Sequence, residues 1–230
     1  MVSDSRATEP LAATDAGTAS RRNLENAQFA RMAQGKTVLA VGPGLGQHPE
    51  TQDFIRAIVQ QSELPIILDA DGLNAFDGAA LRDRETKFLA ITPHPGEMAK
   101  LLGSSIKVVQ QDRVKTAVEA AWRWNVFVVL KGSHTVVAAP DGQMFVSTTG
   151  NAGLAKGGSG DVLTGVLAAL TAQFTTEDWT RVLALGVYLH GAAAELAAAG
   201  MDLSGLLAGE VASAVPQARR RLLAELQRRG

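Results

Sequence analysis

The sequence contains no cysteine. This absence excludes a disulfide scaffold, a thiolate nucleophile and any zinc or iron–sulfur site with cysteine ligands. Aromatic residues make up only 5% of the chain, which argues against a stacking platform for single-stranded nucleic acid. Neither sign of charge is in excess, because 22 Lys and Arg residues balance 23 Asp and Glu residues. We therefore expect no binding of nucleic acid or of anionic membranes through overall charge.

Long apolar runs and targeting signals are also missing. The first residues lack a basic segment followed by an apolar stretch, so we expect no secretory signal, and no apolar run reaches the roughly eighteen residues of a membrane span. The longest apolar-rich stretch, residues 182–200, is interrupted by His190 and Glu195 and predicts a buried helix. We expect a cytoplasmic protein in which residues 1–20 form a flexible arm and residues 21–230 form one domain.

The chain instead shows a regular alternation of short apolar runs with helical patterns. Strands are predicted at residues 37–41, 65–68, 88–91 and 126–130, and a hairpin at residues 135–139 and 144–146. Helices are predicted at about residues 21–34, 50–61, 111–125, 161–172, 177–199 and 208–227. Strands that alternate with helices favour an α/β fold whose mainly parallel sheet is covered on both faces.

A polar loop follows each of the first four predicted strands. In chain order these loops read GPGLG, DADGLN, TPHPGE and KGSHT. Ligands of parallel sheets bind beyond the carboxyl ends of the strands. We therefore expect the four loops to converge on one edge of the sheet and to form a site there.

A glycine-dense segment, GNAGLAKGGSGD at residues 150–161, leads directly into a helical pattern. Gly157, Gly158 and Gly160 remove Cβ atoms where backbone amides would have to approach an anion. The start of the helix adds free N–H groups and the positive end of the helix dipole, which together indicate a phosphate site. Asp161 would repel a phosphate unless it acts as a base or is stabilised by a metal or the helix end. The alternative is a plain glycine-rich loop in which Asp161 caps the helix.

Five segments in this order resemble the NAD(P)H-hydrate dehydratases: GPGLG, LDADGLNAF, TPHPGEMAKLLG, VVLKGSHTVV and GNAGLAKGGSGDVLTGVLAAL. The resemblance covers about residues 20 to 225. GGSGD alone indicates only the ribokinase-like superfamily, whereas TPHPGE together with DADGLN and KGSHT is more specific. The resemblance implies a ribokinase-like, three-layer α/β/α fold. It also implies a homotetramer, and in many members fusion to an NAD(P)H-hydrate epimerase.

The resemblance further implies a hydro-lyase that repairs the S epimer of hydrated NADH and NADPH. ADP or ATP, with Mg²⁺, phosphorylates the hydroxyl at C6 of the hydrated ring, and elimination of phosphate restores NAD(P)H. Asp161 matches the aspartate that takes the hydroxyl proton. The amides of residues 157–160 and the helix start would hold the transferring phosphoryl group.

Other positions carry over one by one from the resemblance. Gly44 matches a glycine that lets the backbone approach the substrate, although it could be a simple turn residue. His94, held between two prolines, matches a substrate-contacting histidine, with a purely structural histidine as the alternative. Asn74 and Asp161 complete the expected substrate contacts. Asp71 and Asn74 could instead cap the turn after their strand.

Magnesium is expected near Asp71 and Glu97, held through water, since Mg²⁺ keeps several waters and binds one or two carboxylates. Asp69 lies in the same segment. Glu97 could alternatively orient His94 or act as a favourable charge at the N-terminus of a helix.

A nucleotide site is expected on two loops. Its residues are Lys131, Gly132, Ser133, His134 and Thr135 on the first loop and Gly157, Gly158, Ser159 and Gly160 on the second. Lys131 could pair with phosphate, or be an ordinary lysine at the end of a strand. His134 stands where many relatives have a small residue. Lys156 could touch phosphate or face solvent.

The opening of the chain departs from the family pattern. Relatives begin with a strand, a glycine-rich loop, a helix and a second strand, and nothing before Thr37 resembles that opening. We expect the chain to lack the first βα unit of the domain. Two alternative functions therefore stay open, a small-molecule kinase of the ribokinase superfamily and an inactive nucleotide-binding remnant.

Overall fold

A computed structural model describes residues 19–25, 27–174 and 178–229, so most of the predicted arm lies outside the described residues. The strands are β1 (Leu39–Val41), β2 (Ile66–Leu68), β3 (Leu89–Ile91), β4 (Phe127–Leu130), β5 (Val136–Ala138) and β6 (Met144–Val146). The helices are α1 (Arg22–Glu25), α2 (Gln28–Ala33), α3 (Pro49–Gln61), α4 (Pro95–Leu101), α5 (Ile106–Gln111), α6 (Arg113–Trp124), α7 (Ser159–Gln173), α8 (Trp179–Ala197) and α9 (Ala208–Arg229). Short 3₁₀ helices lie at Ala70–Ala75, Ala79–Arg82, Ala152–Leu154 and Leu203–Gly205.

The strands of the described residues form one sheet in the order β1-β2-β3-β4-β5-β6. Strands β1 to β4 are parallel, whereas β5 and β6 form an antiparallel hairpin against β4. This arrangement confirms the predicted mainly parallel sheet and the predicted hairpin. It also brings the loops after β1, β2, β3 and β4 to the same edge.

Helices cover both faces of the sheet because both faces of the central strands are apolar. In β2, Ile66 and Leu68 pack in one cluster with Phe54 of α3 and with side chains of α6. Ile67, between them, points to the opposite face and packs with Leu167 of α7 and with α8. Each such side chain, wholly removed from water, contributes on the order of 1.5–3 kcal/mol of transfer free energy. Helix α9 packs outside this layer against α8. The three-layer α/β/α prediction is confirmed.

One helix prediction near the N-terminus was wrong, and two helices near the site were not predicted. Residues 21–34 form two short helices rather than one, and Ala27 between them adopts a left-handed conformation with φ of +56°. The sequence pattern also missed α4 and α5, which follow β3 directly. Helix α4 is short and begins at Pro95, and its N-cap His94 lies between two prolines, residue types that favour helices weakly. None of the helices in the described ranges is long and apolar enough to span a membrane.

Candidate functional site

The loops after the four parallel strands meet at one edge of the sheet, as the strand order predicts. The backbone N–H of Gly46 donates to Oδ2 of Asp71 at 2.9 Å, which joins the first loop to the second. The backbone N–H of Lys131 donates to the carbonyl of Pro93 at 2.9 Å, which joins the fourth loop to the third. These bonds hold the polar segments of distant parts of the chain as one surface.

Asp69 lies at the centre of this surface and is only 1% exposed. Its Oδ1 atom accepts a hydrogen bond from Nζ of Lys131 at 2.5 Å, and its Oδ2 atom accepts one from Oγ1 of Thr164 at 2.8 Å. Nζ of Lys131 is also 3.8 Å from Oε2 of Glu97. A buried carboxylate is tolerated when both oxygens have such partners. The ammonium group of Lys131 is thereby held in a fixed position.

The glycine-rich segment before α7 faces the same ammonium group. Gly158 precedes the helix in a left-handed conformation with φ of +86°, and α7 begins at Ser159. A Cβ atom at Gly160 would lie 3.4 Å from Nζ of Lys131 and 3.6 Å from Oδ2 of Asp69. Gly157 has open space around its Cβ position. The N-terminus of α7 and Lys131 therefore present N–H groups and a positive charge to one location, which suits a phosphoryl group.

Asp161 is the third residue of α7 and is exposed. The helix begins two residues earlier, so Asp161 is not its N-cap. Its carboxylate has no hydrogen bond or ion pair with any residue in the described parts of the chain. Both oxygens of this carboxylate are therefore available to a ligand at the start of α7, where a general base could act.

The first loop contains two glycines whose surroundings differ. Gly42 has φ of +132°, and a Cβ atom there would lie 1.7 Å from the carbonyl oxygen of Asp69. Its hydrogen side chain therefore allows the loops after β1 and β2 to touch. Gly44 has φ of +74° and no heavy atom within 4 Å of its Cβ position. The space beside Gly44 is open, as a ligand-contacting position requires.

His94 and Glu97 form a reciprocal capping box at the start of α4. Nδ1 of His94 accepts hydrogen bonds from the N–H groups of Gly96 and Glu97, at 3.0 and 3.3 Å. Oε2 of Glu97 accepts the N–H of His94 at 2.6 Å, and its Oε1 lies 3.4 Å from Nε2 of the same ring. Nδ1 is thus an acceptor, so the neutral ring carries its proton on Nε2. The capping box fixes an exposed histidine at the mouth of the site.

The loop after β4 contains two left-handed residues, Gly132 with φ of +140° and His134 with φ of +55°. Oγ of Ser133 lies 3.1 Å from Nδ1 of His134, and Oγ1 of Thr135 donates to the carbonyl of Gly132 at 3.1 Å. Residues 132–134 are exposed. The loop therefore offers hydroxyl groups and a ring to solvent next to Lys131.

Two further predicted positions, Asn74 and Lys156, make hydrogen bonds with other parts of the protein. Oδ1 of Asn74 accepts a hydrogen bond from Nζ of Lys100 at 2.8 Å, on the 3₁₀ helix that follows β2. Lys156 donates to the carbonyl of Ser204. The pKa of the neighbouring Asp202 is lowered, first by hydrogen bonds with Ser204 and to a lesser extent by Lys156. Lys156 therefore ties the glycine-rich segment to the loop before α9.

The two carboxylates expected near magnesium differ in how many of their oxygens already contact other groups of the protein. No group of three or more His, Asp or Glu side chains within the described ranges is arranged to hold a metal ion. Both oxygens of Glu97 face His94, and one also faces Lys131, so Glu97 fits a metal ligand poorly. Asp71 uses Oδ2 for the N–H of Gly46 and keeps its other oxygen available.

Two residues of the site gave no signal in the sequence. Thr164 of α7 donates a hydrogen bond to the second oxygen of Asp69. Arg113 of α6 donates to carbonyl groups at the end of β4 and in the loop after it. Both act on residues far away in the chain, so neither belongs to a short motif. Their residue types, a helical threonine and a helical arginine, are also unremarkable in sequence.

Comparison with known proteins agrees with the order of the motifs. A family model described as NAD(P)H-hydrate dehydratase matches residues 4–217. The bifunctional NAD(P)H-hydrate repair enzyme Nnr of Moorella thermoacetica is 40% identical over 222 residues, which cover 96% of this chain and 41% of that enzyme. The chain therefore spans about two fifths of the length of this curated relative.

Solved structures give the same result for the fold. The ADP/ATP-dependent NAD(P)H-hydrate dehydratase from Bacillus subtilis, co-crystallised with ATP/Mg²⁺ and soaked with CoA, has a TM-score of 0.73 and 36% identity, covering 80% of this chain and 66% of that one. A ribokinase-like superfamily protein from Enterococcus faecalis has a TM-score of 0.74 and 26% identity, covering 86% of this chain and 68% of that one. The predicted ribokinase-like fold is confirmed.

Proposed function

The chain belongs to the NAD(P)H-hydrate dehydratase family, and from that premise we propose that it catalyses the nucleotide-dependent dehydration of hydrated NADH and NADPH, in the S epimer. One observation carries the proposal. One location is faced by the ammonium group of Lys131, the Gly160 backbone and the N-terminus of α7. The carboxylate of Asp161, which has no partner among the described residues, lies on the first turn of the same helix.

The proposed phosphoryl transfer uses three groups of this site. Asp161 takes the proton of the C6 hydroxyl as the oxygen attacks the terminal phosphorus of the nucleotide, whose phosphoanhydride bond breaks and releases the shortened nucleotide. The N–H groups at the start of α7 and the charge of Lys131 stabilise the negative charge on the transferring phosphoryl group. The ring nitrogen lone pair then expels phosphate from C6, and transfer of the C5 proton to water forms the C5–C6 double bond of NAD(P)H.

The nucleotide, ADP or ATP, is assigned to residues 131–135 and 157–160. Lys131 supplies a fixed charge, and Ser133 and Thr135 supply exposed or partly exposed hydroxyl groups. Gly44, Asn74 and His94 are assigned to the hydrated nucleotide substrate. His94 presents Nε2, the nitrogen that the capping box leaves protonated.

Magnesium is part of the proposal as a partner of the nucleotide, where it neutralises polyphosphate charge. Asp71 is the side chain that fits, through water, because one of its oxygens remains available. Glu97 is assigned to orienting His94 rather than to the metal, since its oxygens already face His94 and Lys131.

Self-association is proposed as well, with the homotetramer of the resemblance as the expected state. Its support is an apolar cavity of about 300 Å³, lined by residues of the β5–β6 hairpin, α8 and α9. Phe145 and Val146 of the hairpin are exposed, as are Leu223 and Leu226 of α9. Light scattering of the purified chain tests this part. The cytoplasmic location, the single domain of residues 21–230 and an epimerase as fused or separate partner stay predictions.

The reaction is tested by mixing the purified chain with hydrated NADH, Mg²⁺ and either ADP or ATP. The expected result is recovery of the near-ultraviolet absorbance of NADH together with release of inorganic phosphate. The two nucleotides are compared at equal concentration to identify the donor. Failure to recover NADH with either nucleotide would refute the proposal. Phosphate retained on an organic product would instead indicate a small-molecule kinase of the same superfamily.

A further inference from the structure

Arg113 connects helix α6 to the loop after β4. It is the first residue of α6, and its guanidinium group lies at the end of the neighbouring strand. Nη2 donates to the carbonyl of Leu130 at 2.9 Å and to that of Lys131 at 3.1 Å, and Nη1 donates to the carbonyl of Ser133. Three carbonyl groups within four consecutive residues therefore converge on one planar group.

The backbone of the loop is shaped to receive that group. A Cβ atom at Gly132 would lie 2.9 Å from Nη2, 3.1 Å from Cζ and 3.2 Å from Nη1 of Arg113. Gly132 has φ of +140° and His134 has φ of +55°, so two residues of the loop are in conformations that cost energy or need glycine. The guanidinium group is the element that holds this strained turn in place, since it bonds carbonyl groups on both sides of Gly132.

The guanidinium group suits this role better than an ammonium group would. Its five N–H donors are fixed in one plane, so one side chain can reach several carbonyl groups without losing rotamer freedom for each bond. Burial lowers the pKa of Arg113, but a guanidinium starts from so high a value that it stays charged at neutral pH. The hydrogen bonds are therefore charge-assisted and strong.

We propose that Arg113 is a positioning residue of the nucleotide site. It touches neither substrate, and it acts by fixing the carbonyl groups of residues 130–133 and hence the direction of the Ser133 and Thr135 side chains, while Asp69 and Glu97 hold the Lys131 ammonium group independently. The proposal rests on the proposed function, which assigns this loop to the nucleotide. We call the three hydrogen bonds from Arg113 to the carbonyl groups of Leu130, Lys131 and Ser133 the clamp. Loss of the clamp leaves Asp161 and the start of α7 untouched, so it should weaken nucleotide binding and spare the chemical step.

The test compares Arg113→Lys and Arg113→Ala with Arg123→Ala, a change at an exposed position of the same helix. Arg113→Lys keeps the charge and loses the planar fork. We expect the KM for nucleotide to rise about tenfold or more in both Arg113 variants, with kcat and the KM for hydrated NADH nearly unchanged. Added guanidinium ion should restore part of the nucleotide affinity of Arg113→Ala. Arg123→Ala should resemble the wild type.

Two further measurements separate this proposal from the proposed function. Amide hydrogen exchange of residues 131–135 should be faster in the Arg113 variants, and calorimetric binding of ADP and ATP should be weaker, neither of which needs turnover. If the wild type binds nucleotide but does not restore NADH, and the Arg113 variants show faster loop exchange and weaker binding, the reaction is refuted and the clamp is supported. Unchanged amide exchange in the loop together with unchanged nucleotide affinity would refute the clamp. It would also be refuted if both KM values rose and kcat fell to a similar extent together with a lower melting temperature, because that pattern indicates general destabilisation. No nucleotide binding by the wild type overturns both proposals.

Discussion

Nζ of Lys131 lies 2.5 Å from Oδ1 of Asp69, in a pair whose side chains are 18% and 1% exposed. The second oxygen of Asp69 is bonded to Thr164, so the carboxylate is satisfied only while both partners are present. The pair also places the ammonium group 3.4 Å from the Cβ position of Gly160. The buried Asp69–Lys131 pair therefore also fixes the position of the charge that faces the glycine-rich segment.

Asp69→Ala should therefore affect stability as well as function. The change leaves Lys131 with only the more distant carboxylate of Glu97, at 3.8 Å, and breaking a buried pair costs about 3–5 kcal/mol of unfolding free energy. Urea denaturation measures this loss. The double variant Asp69→Ala/Lys131→Met should recover part of it, because no buried charge remains.

The exposed pair of Asp53 and Arg56 provides the control, since its side chains are 46% and 36% exposed. Asp53→Ala should cost about 1 kcal/mol or less. Simple additivity of the two single changes, Asp69→Ala and Lys131→Met, in the double variant would contradict the coupling of that pair.

Asp161→Asn is predicted to abolish turnover without loss of the fold or of nucleotide binding. The amide keeps the shape of the side chain but cannot take a proton, and a positioned base contributes about 10²–10⁴-fold to rate. Steady-state kinetics and calorimetry with ADP or ATP measure the two properties separately. Asp141→Asn, at the exposed turn of the hairpin, is the matched control with full activity. Turnover near the wild-type rate in Asp161→Asn would exclude Asp161 as the base.

The position of the site could be predicted from the sequence because parallel strands place their carboxyl ends at one edge. Strand order alone brought together Gly46 with Asp71 and Lys131 with Pro93. The contact between Asp69 and Thr164 could not be predicted, since 95 residues separate them and no short pattern records such a pair.

The local geometry at His94 shows a second limit of sequence reasoning. The segment TPHPGE predicted a substrate contact at His94 and left Glu97 open between a magnesium role, the orientation of His94 and a helix-end charge. Side-chain caps are usually Ser, Thr, Asp or Asn, and the use of an imidazole Nδ1 in that role is not visible in residue type alone. The capping box instead explains both residues together, and it moves Glu97 from a metal role to an orienting role.

Gly42→Ala and Gly44→Ala should separate a packing glycine from a ligand-facing one. A methyl group at Gly42 would meet the backbone carbonyl of Asp69 at 1.7 Å, and backbone cannot move aside cheaply. We expect a loss of about 3 kcal/mol or more in unfolding free energy. At Gly44 the surroundings are open, so the expected cost is the backbone strain alone, about 1–2 kcal/mol.

The effect on substrate binding should instead be seen in the Gly44 variant. Gly44→Ala, which keeps its fold, should raise the KM for hydrated NADH and leave the nucleotide KM nearly unchanged. Thermal denaturation and steady-state kinetics on the same preparations give both results. Equal stability of the two variants would contradict the close approach at Gly42, and an unchanged KM in Gly44→Ala would remove Gly44 from the substrate contacts.

His190 of α8 predicts how stability depends on pH. The residue is buried, its Nε2 atom has no hydrogen-bond partner among the described residues, and burial lowers its pKa from 6.5 to about 4, against a smaller raising effect of the Ser159 backbone. Because the pKa is lower in the folded chain, the unfolded chain binds the proton first. The contribution of neutral His190 is therefore complete above about pH 6.5 and is lost as the pH falls towards 4.

This difference in pKa corresponds to about 2 kcal/mol of unfolding free energy between pH 7 and pH 5. Urea denaturation of the wild type and of His190→Gln at both pH values measures it. The variant loses some stability at pH 7 through altered packing, but its decline from pH 7 to pH 5 should be smaller than that of the wild type by about that amount. An equal decline in His190→Gln and the wild type would mean that His190 stays accessible to protons in the folded chain.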